Sequence, residues 1–197
     1  MSYGTLKKLC LEMVKKTVEP GEAFKVRITL AEEGTVEVMV TAVVPFSADP
    51  TELVHFNPTC DTHPENGTVV SVGLDSQSTP SSIFTRTKTT QRVHYDEARK
   101  RAGVSSSASE VLLFNDDDSM ITEATISNVA FYRAGRWLTP STSTGCLPGV
   151  VRRWLLDKKL VDEDDKNELN KDTISVGEWV LLSNGVQGCR LGRITVK

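Results

Sequence analysis

The chain has 197 residues, of which 39% are hydrophobic and 25% charged, with 23 basic against 26 acidic residues and a formal net charge of −3. That length suffices for one domain with a real core or for two small lobes, and a near-neutral acidic balance supplies no counterion-release term, so nucleic acid is not an expected partner. No apolar run approaches the roughly 20 residues of a membrane span, and Lys7, Lys8, Glu12, Lys15 and Lys16 break up the apolar positions that a signal peptide would need. The expectation is a cytoplasmic protein with no membrane contact. Cys10, Cys60, Cys146 and Cys189 lie far apart with no CxxC pair and are expected to be reduced. Cys60 and His63, with His55 upstream, form no closed four-ligand set, so no metal is expected.

Leu6, Leu9, Cys10, Met13 and Val14 recur at helical spacing and predict an amphipathic helix over 5–18, stopped by Pro20-Gly21. Phe24, Val26, Ile28 and Leu30 alternate with polar residues as in a half-buried strand, Glu33-Gly34 turns the chain, and Val36, Val38 and Val40 alternate again. Pro45, Pro50, Pro58 and Pro64 then punctuate a stretch without periodicity, read as a linker between lobes, with an Asn66-Gly67 turn near its end. Beyond it, 68–74 reads as strand, 76–82 as loop, 90–102 as helix, Val111–Phe114 as strand and Asn115–Asp118 as a turn. Strands follow over 126–132 and 136–138, then a helix over 148–161 with Pro148 near its start, a charged segment over 162–172, and a strand over 179–182. The class is α+β, with residues 1–46 as one lobe, 47–67 as linker and 68–197 as the larger lobe.

Three segments combine residues able to carry chemistry. Lys88 stands in Thr87-Lys88-Thr89-Thr90-Gln91-Arg92, just before a helix; Glu123 enters a strand in Thr122-Glu123-Ala124-Thr125-Ile126-Ser127-Asn128; and Gly145-Cys146-Leu147-Pro148-Gly149-Val150-Val151-Arg152 opens a helix. Taken singly, Lys88 reads as a solvated cation, and Glu123 fits a surface carboxylate as well as a functional one. Gly145–Arg152 lacks the Gly-Lys-Ser/Thr ending of a phosphate-binding P-loop, yet a helix N-terminus offers free N–H groups and a positive dipole end to an anion. Asp116–Asp118 is better read as a hairpin turn than as a Mg²⁺ site, because adjacent carboxylates point apart.

The order of these segments, with Leu138-Thr139-Pro140 between the second and third, resembles the class IV aminotransferases, the fold-type IV pyridoxal-phosphate enzymes. The resemblance runs from about Thr87 to Gly188 and keeps Lys88, Glu123 and Gly149 in the family's order and spacing. It implies a partial small α/β lobe plus a larger mixed α/β lobe, and pyridoxal 5'-phosphate as cofactor. It further implies a small-molecule substrate and a homodimer. Lys88 is implied as the lysine that bonds the cofactor aldehyde and shuttles a proton, and Glu123 as partner of the protonated pyridine nitrogen. Gly149, Val150 and Val151 would hold the phosphate, and Asn184, Gly185 and Val186 would form the loop that closes over it. Arg92 and Tyr95 would reach the ring hydroxyl or the substrate, and Asn128 completes the Glu123 motif.

The family contains branched-chain and D-amino-acid aminotransferases and 4-amino-4-deoxychorismate lyase. The Lys88-x-x-x-Arg92 pattern resembles the lyase branch, whose reaction releases pyruvate and leaves 4-aminobenzoate for folate; amine transfer is the alternative, and an inactive short form is another. Family members usually begin with further small-domain sequence that residues 1–20 do not match. The expectation is therefore a remnant of the small lobe over 1–46, with weakened phosphate binding.

Overall fold

The structure is a computed structural model that describes residues 2–17, 23–61, 69–106 and 108–196. The chain divides into two compact units, Met1–Asp49 and Pro50–Lys197. The expected stop at Pro20-Gly21, the Asn66-Gly67 turn and His63 lie outside the described residues.

The first unit is helix α1 (Tyr3–Thr17) and an antiparallel hairpin of β1 (Ala23–Leu30) and β2 (Val36–Val43), paired from Ala23 opposite Val43 to Leu30 opposite Val36. α1 packs on β2. Leu6, Cys10, Met13 and Val14 of the helix, and the alternating Val36, Val38 and Val40 of the strand, are half-buried. Phe24, Ile28 and Leu30 of β1 were expected to be half-buried but are exposed. The main contacts of α1 are with β2, and these β1 side chains are left uncovered.

The second unit is built on eight strands: β3 (Val70–Leu74), β4 (Ser109–Phe114), β5 (Ile121–Ala124), β6 (Asn128–Arg133), β7 (Arg136–Thr139), β8 (Asp162–Glu163), β9 (Trp179–Asn184) and β10 (Gly188–Val196). Their order is β5-β4-β3-β10-β9-β6-β7-β8, and the sheet is mixed, with β3 parallel to both β4 and β10. In a flat sheet β5 and β6 would stand about 24 Å apart, five spacings of ~4.8 Å. Only Thr125–Ser127 joins them, and the step from Ala124 to Asn128 spans at most about 14 Å. The sheet therefore curls, and Ala124 N donates to Ser127 O at 2.9 Å across the closing turn.

Curling makes an inside and an outside, and the strands read as continuous apolar runs because both are covered. Leu112, Phe114, Val129, Phe131, Val180 and Leu182 point into one core with Val72, Ile121 and Ile194. Their neighbours Ala130 and Leu181 point outward and pack with Trp137, Cys189, Leu191 and Leu155 of helix α4 (Val150–Asp157). Val111 and Leu113 face Tyr95 and Ala98 of helix α3 (Val93–Arg101). β4, β6 and β9 thus alternate at period two between two buried faces.

The expected mixed α/β architecture is present, with local differences. Residues 47–67, expected as a linker, contribute a 3-10 turn over Glu52–His55 whose Val54, with Phe56, is buried beside Trp137. Trp137 Nε1 donates to Val54 O at 2.9 Å. A short helix α2 (Ile83–Arg86) stands where no helix was expected, started by a capping box between Ser82 and Thr85. The helix expected to reach residue 161 stops at Asp157, because Lys159 turns left-handed (φ 56°) and Leu160 N bonds back to Leu155 O. β10 escaped the sequence reading because Gly188, Arg190, Gly192 and Arg193 interrupt its apolar pattern.

Candidate active site

The closing turn of the sheet sets Glu123 near the end of β5 and Asn128 at the start of β6, so both side chains reach the loop that leads into α4. Glu123 Oε1 accepts from Leu147 N at 3.4 Å, and Asn128 Nδ2 donates to Leu147 O at 2.8 Å. The two side chains thereby grip Leu147 by its N–H and its carbonyl, which fixes where the helix begins. Gly149 is the residue before the helix and packs directly on the Asn128 amide. The N–H groups of Val150 and Val151 follow in the first turn, where no intrahelical acceptor exists for them. Gly185, in the β9–β10 turn, lies against Val150: a Cβ there would stand 3.4 Å from Val150 Cγ2. That contact brings the last sequence segment to the helix start.

Glu123 is only 4% exposed. Its Oε1 also accepts from the Tyr95 hydroxyl at 2.7 Å, whereas Oε2 makes no hydrogen bond among the described residues. Burial pushes its pKa up from 4.5 to about 7, against the pull of the Tyr95 and Leu147 hydrogen bonds and the charges of Lys88 and Arg92. Burial, together with the Glu123 carboxylate, raises the Tyr95 phenol well above its ordinary range, so it stays a donor. Lys88 itself is exposed, between α2 and α3, and its charge reaches Glu123.

Arg92 and Asn184, which the resemblance associated with the cofactor or substrate, hold protein groups. The Arg92 guanidinium lies 4.5 Å from the centre of the Tyr95 ring and donates to Thr125 O at 2.7 Å. Asn184 Oδ1 accepts from the N–H groups of Val186 and Gln187, both at 2.9 Å, and its Nδ2 donates to Ser127 Oγ at 3.0 Å. It shapes its own turn and ties it to the turn after Glu123.

Several residues of this framework went unremarked in the sequence. Glu110 on β4 is fully buried; it accepts from Ile126 N and Ser127 N at 3.1 Å and from Ser127 Oγ at 2.8 Å, and pairs with Arg190 of β10. Arg99 reaches Thr125 Oγ1 at 3.3 Å. The only signal for Glu110 was an acid at the head of the apolar run Val111–Phe114. Cys146 is also buried, and burial pushes its thiol up to about 11. Cys60 is exposed, and no group of three His, Cys, Asp or Glu able to hold a metal exists among the described residues.

Pyridoxal phosphate can be tested against these groups. A protonated pyridine nitrogen needs a buried anion with a lone pair to spare, which Glu123 Oε2 offers. A phosphate dianion needs clustered N–H groups without a side chain in the way, which the start of α4 offers at Gly149. An aldehyde needs an accessible amine near that carboxylate, which Lys88 offers. The residues fit the group.

A curled mixed sheet of this kind is the architecture of the fold-type IV pyridoxal-phosphate enzymes. The chain matches the family described as amino-transferase class IV over residues 2–193, and it belongs to that family. It is 36% identical over 172 residues to a Schizosaccharomyces pombe protein provisionally named aminodeoxychorismate lyase, covering 87% of this chain and 67% of that one. It is 28% identical over 213 residues to the aminodeoxychorismate lyase of Saccharomyces cerevisiae, covering 94% of this chain and 55% of that protein. The chain thus spans little more than half the length of the second relative. Among solved structures, the branched-chain aminotransferase of Thermoproteus uzoniensis matches all of this chain and 65% of its own at a TM-score of 0.64 and 15% identity. That likeness speaks to the fold alone. No helix among the described residues is long and apolar enough to cross a membrane.

Proposed function

We propose that this protein is an aminodeoxychorismate lyase, releasing pyruvate from 4-amino-4-deoxychorismate and leaving 4-aminobenzoate. The observation that carries the reading is the 36% identity to the fission-yeast relative over 87% of the chain, supported by the Lys88-x-x-x-Arg92 pattern. The reading includes residues 68–197 as the cofactor-bearing lobe of a cytoplasmic homodimer making a folate precursor.

Bound pyridoxal phosphate supplies an aldehyde carbon for an amine and a protonated ring that withdraws electrons from the carbon beside that amine. With the cofactor bound, Lys88 Nζ would be the amine that holds its aldehyde carbon. Nζ then takes the proton from the amine-bearing ring carbon of the substrate and returns it to the methylene carbon of the departing pyruvate unit. The ring becomes aromatic as the C–O bond to that unit breaks. Glu123 Oε2 keeps a proton on the pyridine nitrogen, and its negative charge stabilises that proton in a buried site. The Val150 and Val151 amides would hold the phosphate, with the 184–186 turn beside them.

Incubation of the protein, pyridoxal phosphate and 4-amino-4-deoxychorismate tests the reading. Pyruvate and 4-aminobenzoate are expected in equal amounts, and Lys88→Ala abolishes both. Keto-acid-dependent amine transfer without pyruvate release refutes it. Borohydride reduction of the loaded protein is expected to fix the cofactor on the Lys88 peptide; labelling at Lys100 or Lys158 refutes the lysine assignment.

A further inference from the structure

The Tyr95 hydroxyl does not stand free to meet a ligand. It donates to Glu123 Oε1 at 2.7 Å. Its ring contacts the Arg92 guanidinium, 4.5 Å from its centre, and the His94 ring, whose centre lies 3.9 Å away. One turn further along α3, Ala98 is buried with Tyr95 against Val111 and Leu113 of β4. The helix backbone and the sheet core thus set where the hydroxyl lies, and the hydroxyl sets one oxygen of the carboxylate.

A carboxylate turns about its last bond, and the barrier is low. With Oε1 tied to Tyr95 and to Leu147 N, from two different elements, the rotation is stopped and Oε2 has one direction left. We propose that Tyr95 is a positioning residue, whose hydroxyl fixes Glu123 Oε1 so that Oε2 is presented as the acceptor for the protonated ring nitrogen of the cofactor. This rests on Glu123 being the carboxylate that faces that nitrogen.

The same bond acts on the charge of the carboxylate. Hydrogen bonds to an ionised acid favour the ionised form, and here burial opposes ionisation. The other groups acting on Glu123 are Lys88, before α3, Arg92, at the start of α3, and the Cys146 thiol, in the loop before α4. Lys88 and Arg92 favour the anion from a distance, whereas Tyr95 touches it. Loss of the phenol hydroxyl alone therefore moves the pH at which Glu123 becomes an anion, and with it the pH at which the cofactor is held.

The test is the dissociation constant of pyridoxal phosphate, read from tryptophan fluorescence between about pH 5.5 and 9, for the intact protein, Tyr95→Phe and Glu123→Gln. In the intact protein, affinity is expected to fall on the acid side with a midpoint near the Glu123 value of about 7. In Tyr95→Phe, which keeps the ring and its contacts with Arg92 and His94, that midpoint is expected to move up by about one pH unit, the size of a hydrogen bond to a charged group. Circular dichroism and melting temperature are expected to stay near those of the intact protein. In Glu123→Gln the acid-side midpoint disappears. An unmoved midpoint in Tyr95→Phe, or a loss of affinity equal at every pH, overturns the positioning role and leaves the Glu123 assignment standing. A midpoint that survives Glu123→Gln overturns both.

Discussion

Asn128 Oδ1 lies so close to Gly149 that a methyl group placed on the glycine would sit 2.1 Å from it. The φ of Gly149 is −61°, which any residue adopts, so the glycine is required by space rather than by backbone conformation. The approach is useful because Asn128 simultaneously holds Leu147 O, and the two contacts bring the sheet against the start of α4.

Gly149→Ala is therefore expected to force the Asn128 amide off Leu147 and shift the helix start. Overpacking of this kind costs about 1–3 kcal/mol. Cofactor affinity is expected to fall at least tenfold, with secondary structure retained. Combining Gly149→Ala with Asn128→Ala relieves the clash, so the two losses should be less than additive. Additive losses, measured by cofactor titration on both single variants and the pair, would place the two residues in separate roles.

Glu123 makes a second expectation about pH. Its folded pKa, about 7, lies above the ordinary 4.5 of an unfolded chain, so the folded state binds more protons in that interval. Stability contributed by the protonated acid is complete below the unfolded value and is lost as pH rises through the folded one. Glu123→Gln, which keeps the shape without the charge, is expected to raise the melting temperature of the cofactor-free protein at pH 8. It should change little at pH 5. The gain is roughly 3–4 kcal/mol at most, at ~1.4 kcal/mol per pKa unit. Under the proposed function, activity is expected to move the other way, because the ring nitrogen would lose its anion. A variant no more stable than the parent at pH 8 would contradict the buried charge.

Glu110 carries the turn that joins Glu123 to Asn128. Its carboxylate is fully buried and is satisfied by two backbone amides, the Ser127 hydroxyl and Arg190. Removing the carboxylate leaves two buried turn amides and the Ser127 hydroxyl without their acceptor, at about 1–3 kcal/mol for each group left unsatisfied. Glu110→Ala is expected to lower the midpoint of urea unfolding strongly and to abolish cofactor binding. Glu110→Gln, which still accepts from the turn, should fall between. An unchanged midpoint in Glu110→Ala would show that the turn holds itself.

The cysteines make a chemical prediction. Cys146 and Cys189 are buried and Cys60 is exposed, and burial raises the Cys146 thiol to about 11, where thiolate is scarce at neutral pH. Native protein at pH 8 should react with a thiol reagent at Cys60 and leave Cys146 unmodified until denaturant is added. Mass spectrometry of the labelled peptides reads the outcome. Rapid native labelling of Cys146 would mean that the loop before α4 opens.

Periodicity and spacing in the chain were enough for the hairpin, for α1, α3 and α4, and for the order of Lys88, Glu123 and Gly149 that matches the family. These are local signals: a period of two or 3.6 reports which faces of one element are apolar, and a motif reports residues a fixed number of bonds apart. The tertiary structure alone decided that β10 inserts between β3 and β9 and that Val54 and Phe56 dock under Trp137. It also decided that Glu110 and Arg190, eighty positions apart, meet behind the turn. No local pattern encodes such pairings, because they follow from how the sheet curls once strands such as β4, β6 and β9 have both faces to bury. The same holds at atomic scale. Sequence pointed to Tyr95 and Arg92 as groups for a ligand, whereas packing of α3 on β4 turned one onto Glu123 and the other onto Thr125. Residue identity set the chemistry available, and burial and hydrogen-bond satisfaction chose the atoms that use it.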